Sequence, residues 1–88
     1  MIELGGNIKL DGFESIEPAQ LIVVKKMVGN YAKEISEKIE FSEFLVSLKE
    51  TTVSVKVTTK DKEISEEESG DNLFITLDKV LAKVKSTL

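Results

Sequence analysis

The chain has 88 residues, 41% hydrophobic and 32% charged, which suits one small globular unit with a single thin core and no apolar run long enough to span a bilayer. Cys, His, Trp and Arg are absent, and all twelve basic residues are Lys. Disulfides, thiolate nucleophiles, zinc–thiolate sites, imidazole bases and bidentate guanidinium contacts are therefore excluded. The net charge of −4 leaves room for a local basic face but argues against a chain that binds polyanions over its whole surface.

The first element is predicted to be a strand over 2–10. Ile2, Leu4, Ile8 and Leu10 fall on alternate positions with Gly6 in step, and Gly5 and Gly6 suggest a bulge or a close backbone approach. No basic stretch followed by an apolar one opens the chain, so it does not read as a secretory signal, and a cytoplasmic location is the default expectation. After a loop containing Gly12, Pro18 suits the first turn of a helix over 18–38, whose stripe Leu21, Val24, Val28, Tyr31 and Ile35 repeats every three or four residues. Gly29 and Asn30 in its middle cost about 1 kcal/mol against better helix formers. Either a close approach to the sheet or a break in the helix would account for them.

Alternation at Phe44, Val46 and Leu48, then at Val53, Val55 and Val57, predicts two antiparallel strands over 43–50 and 52–59. Lys60 and Asp61 turn the chain into a short edge strand over 62–66 around Ile64. Glu66 to Asn72 reads as an acidic loop, and Asp71 as the N-cap of a last helix over 72–87 with stripe Phe74, Leu77, Leu81, Val84 and Leu88. The expected fold is α+β, in the order β-α-β-β-β-α. It comprises a four-stranded mixed sheet whose first two strands are parallel, joined by a helical crossover, with both helices on one face.

Glu66, Glu67, Glu68 and Asp71 are hard oxygen donors, but consecutive residues diverge and no calcium-loop pattern is present, so a solvated loop is expected and no metal or cofactor. No nucleophile motif occurs, and the chain is expected not to be an enzyme. At about 100° per residue, Lys26 and Lys33 lie opposite the first helix's apolar stripe, and Lys79 and Lys83 lie opposite or well round from that of the second. These lysines are either ordinary solvated positions or a phosphate-binding surface, with Glu37 and Asp78 interrupting or flanking it. Ile22, Val23 and Ile75 lie far round from their stripes. They point to a contact with another protein or a second copy of the chain, unless the 11–17 loop covers Ile22 and Val23.

Two stretches carry a family resemblance. GGNIKL from Gly5 to Leu10 looks like a Gly-Asn-apolar-x-apolar opening, and Asp71, Leu73, Phe74, Leu77, Asp78, Lys79, Val80, Leu81, Lys83 and Val84 look like a closing helix. Both resemble the N-terminal domain of the ribosome hibernation-promoting factors and ribosome-associated translation inhibitors. The resemblance implies a fold of strand, helix, three strands and helix. It also implies binding to the small ribosomal subunit, with basic helix residues meeting ribosomal RNA in the channel used by messenger and transfer RNA. By position that role falls on Lys26, Lys33, Lys79 and Lys83, with Lys25 and Lys85 beside them. The alternative is a protein-interaction module or homodimer that keeps the fold without binding RNA.

Overall fold

A computed structural model describes residues 1–5 and 7–88. Five strands, β1 (Ile2–Gly5), β2 (Ile8–Asp11), β3 (Phe41–Lys49), β4 (Thr52–Thr59) and β5 (Glu63–Ser69), form one mixed sheet in chain order. Helices α1 (Pro18–Ser36) and α2 (Leu73–Thr87) add their buried sides to the same core as the sheet. Among the described residues no helix is long and apolar enough to cross a membrane.

The sheet has five strands where four were expected, because the stretch over 2–10 is a hairpin. Ile2 pairs antiparallel with Leu10, and Gly5 with Ile8, across a bulge after Glu3. Gly5 has φ 144°, a backbone region that L side chains rarely adopt, so a straight strand does not continue through it. Asn7 fastens the reversal to β3: its amide donates to the Phe41 carbonyl at 3.2 Å, and its own carbonyl accepts from the Phe44 amide at 2.8 Å. Gly6, counted above as in step with a strand, lies outside the described residues.

β2 then pairs in parallel with β3, Leu10 opposite Val46, and α1 forms the crossover. β3, β4 and β5 follow as an antiparallel meander. Cross-strand partners share a face, so the rows Ile8–Phe44–Val57–Ile64 and Leu10–Val46–Val55 line the side covered by the helices. Lys9, Leu45, Lys56 and Ser65 make a row on the opposite side, which is largely polar, and none of them is fully buried. The helices contribute Val24, Val28, Ala32 and Ile35 from α1 and Thr76, Leu77, Val80, Leu81 and Val84 from α2.

The loop between β2 and α1 supplies a core residue with no periodic signal, Phe13, which is fully buried. Gly12 makes this entry feasible. Its φ is 83°, and a Cβ there would stand 2.1 Å from the Leu48 carbonyl oxygen, inside van der Waals contact with backbone that cannot yield. The loop buries its own apolar groups and does not extend over α1, so Ile22 and Val23 stay 60% and 41% exposed, and Ile75 on α2 is 56% exposed.

Three local expectations are corrected. Gly29 marks neither a break nor a close approach: α1 runs through it, and a Cβ there would meet nothing within 4 Å. The N-cap of α2 is Asn72 rather than Asp71, its side-chain oxygen accepting from the Ile75 amide at 3.1 Å. Glu66, Glu67 and Glu68 do not belong to a solvated loop. They extend β5 and pair with Val55, Ser54 and Val53. Partnership with the Val-rich β4 outweighs the low strand preference of Glu, and charge on an outer strand also discourages pairing with other chains.

Candidate nucleic-acid interface

Both helices pack their apolar sides into the core shared with the sheet, and all but one of their lysines are exposed. Lys25, Lys26 and Lys33 on α1 and Lys79 and Lys83 on α2 are exposed, while Lys85 is half-buried between the helices. The six helical lysines are opposed within the helices only by Glu34 and Asp78, so the helical layer carries a net +4. The remaining six lysines stand against fourteen acidic residues in the strands and loops, a net −8. A chain that is acidic overall is thus sorted by layer, with a positive outer helical surface over a negative sheet and loops.

Two contacts tie the helices together across that surface. The Tyr31 hydroxyl donates to Asp78 Oδ1 at 2.8 Å, and Lys85 bonds Glu34. The hydrogen bond to Asp78 raises the Tyr31 phenol above its ordinary value, with partial burial and the Asp78 and Glu34 charges adding to it. Beside the contacts lies an open groove of about 560 Å³, lined by residues that include Met27, Tyr31, Glu34, Ala82, Lys85 and Ser86.

The six candidate lysines divide into two sets. Lys85 is held by Glu34, and Lys83 by Glu68 Oε2 at 2.5 Å with a further bond to the Glu67 carbonyl at 3.4 Å. Lys25, Lys26, Lys33 and Lys79 make no salt bridge among the described residues. The hydrogen bond to Glu68 raises the Lys83 ammonium above its ordinary value, and the same contact lowers the Glu68 carboxyl. The partners Glu34 and Glu68 were not visible as such in the sequence. Each joins its lysine across elements, Glu68 to Lys83 from β5 to α2, with no local spacing to signal it.

Among the described residues no group of three or more acidic side chains is arranged to hold a metal ion.

No protein-family model matches the sequence, and a comparison with curated proteins finds no match. In structure the chain is similar to the N-terminal domain of Thermus thermophilus Protein Y, with TM-score 0.64 and 12% identity over 91% of this chain and 90% of that one. It is also similar to a ribosomal subunit interface protein from Coxiella burnetii, with TM-score 0.56 and 16% identity over 93% and 92% of the two chains. The chain therefore shares the fold of these two proteins, in keeping with the fold that the resemblance of its opening and closing stretches implies.

Proposed function

We propose that this protein is a non-enzymatic, ribosome-associated regulator of translation in the cytoplasm, and that it contacts RNA of the small ribosomal subunit through lysines of its helical layer. The observation that carries the reading is the sorting of charge, +4 on the helices against −8 elsewhere, in a chain whose net charge is −4. The fold likeness supports it, since one structural neighbour is named as a ribosomal subunit interface protein. Lys25, Lys26, Lys33 and Lys79 are the primary contacts, because their ammonium groups make no salt bridge among the described residues. Lys83 and Lys85 are secondary. Lysine point charges without Arg favour contact with the phosphate backbone over reading of base edges.

Co-sedimentation with purified small subunits tests this. With four phosphate contacts, log affinity is expected to fall with log salt at a slope of roughly 3 to 4. Replacing Lys33 and Lys79 with Glu should abolish co-sedimentation at moderate salt. Retention of the double variant on subunits, or no binding by the natural sequence even at low salt, would remove the reading.

A second reading rests on one observation, the exposure of Ile22, Val23 and Ile75 on the same helical layer with no loop covering them. In that reading the protein is an interaction module or homodimer, and analytical ultracentrifugation showing a strict monomer would eliminate the homodimer.

A further inference from the structure

Strand β5 brings two carboxylates beneath the basic layer. Glu66 and Glu68 pair with Val55 and Val53, whose side chains are fully buried under the helices, so both Glu side chains point to the helix side of the sheet. Lys83 meets Glu68 from α2. Its Nζ stands 2.5 Å from Glu68 Oε2 and 3.4 Å from the Glu67 carbonyl oxygen, while the Thr87 hydroxyl reaches Glu66 Oε2 at 3.5 Å. Protection of an outer strand explains why charge is present on β5, but any charged residue would serve that purpose. It does not explain why the Glu68 carboxylate and the Glu67 carbonyl both meet one lysine of the net-positive helical layer. A carboxylate seated on an exposed ammonium offers it two anionic oxygens, as the non-bridging oxygens of a phosphodiester would.

We propose that Glu68 is an internal competitor for the anionic ligand of the helical layer, occupying at Lys83 the position that an RNA phosphate would take. The inference rests on the RNA-binding reading of that layer and assigns it a limit on affinity. Binding begins on Lys25, Lys26, Lys33 and Lys79. Lys83 joins only when phosphate displaces the Glu68 carboxylate. The exchange replaces one exposed ion pair by another, so it is nearly balanced and easily reversed. Lys79, which lies close enough to Glu68 to help lower its carboxyl, would then be shared between strand and ligand.

The test is fluorescence anisotropy with an end-labelled single-stranded RNA of mixed sequence, over a series of KCl concentrations, using the whole chain. Four proteins are compared with the natural sequence: E68Q, E63Q, K83Q, and K83Q combined with E68Q. Glu63 serves as control because its loss changes net charge equally, while it pairs with Lys56 at 3.3 Å away from the helices. E68Q is expected to tighten binding about three- to fivefold, the size an exposed ion pair supports, and to steepen the salt slope by about one phosphate contact. E63Q should change affinity less than twofold. K83Q alone should weaken binding little, because that ammonium is already occupied, yet it should cancel the gain in E68Q. Equal tightening by E68Q and E63Q would reduce the effect to net charge and overturn the proposal. An unchanged E68Q, with the natural sequence still binding, overturns it and leaves the RNA reading intact. Absence of binding by all the proteins removes both.

Discussion

Tyr31 is the only tyrosine in a chain without tryptophan, so its ionisation can be followed directly in near-ultraviolet absorbance. Its hydroxyl donates across the two helices to Asp78, which favours the protonated phenol in the folded state. A folded value raised above the ordinary 10.0 means that the contact contributes fully below pH 10.0 and is lost as pH rises through the folded value. The absorbance midpoint is therefore expected above 10.0, moving back toward it in Asp78→Asn. A midpoint at or below 10.0 in the natural sequence, or one indifferent to that substitution, would mean that the hydroxyl does not bridge the helices in solution. The same residue shows what sequence reading could reach: its place on the apolar stripe was identifiable, but the partner of its hydroxyl lies 47 residues away and depended on how the helices pack.

At the scale of elements, α1 contains a removable weakness. Gly29 is helical, partly exposed, and has open space where a Cβ would stand. Gly29→Ala is expected to raise stability by about 1 kcal/mol, through helix preference and a less flexible unfolded chain. A higher urea midpoint with an unchanged slope would bear this out; a lower midpoint would reveal a need for glycine that the geometry does not show. The helices were legible because a period of three and four persists through four or five turns, and β4 because Val53, Val55 and Val57 alternate without interruption. The split of the first strand was hidden for a physical reason. Ile2 and Leu10 face each other across the hairpin, so alternation reads the same whether the chain runs straight or doubles back. The tail of β5 was hidden because its strand character comes from β4 rather than from its own Glu residues. Phe13 was missed because a single apolar residue in a loop has no period at all. The candidate lysines could be assigned to outward faces from helical spacing alone, but which of them are already engaged by Glu34 and Glu68 required the packed structure.

Across the whole molecule, the sheet joins neighbours in chain order, and three of the four links between its strands are a tight reversal or short turn. The exception is β2 to β3, where Leu10 meets Val46 only after the chain has passed through α1. Closing a separation of some thirty residues instead of two costs on the order of 2 kcal/mol more in chain entropy. Native-state hydrogen exchange is expected to find the β1–β2 hairpin opening at lower free energy than the β3–β4 pair, as a separate unit. Uniform protection across all five strands would contradict that division. The seam between β2 and β3 also gives the structure an order in time: the β3–β4–β5 meander can assemble from neighbouring segments, and α2 follows it directly. The N-terminal hairpin with α1 must then find it from a distance, so the first residues of the chain are expected to be the last to take their places.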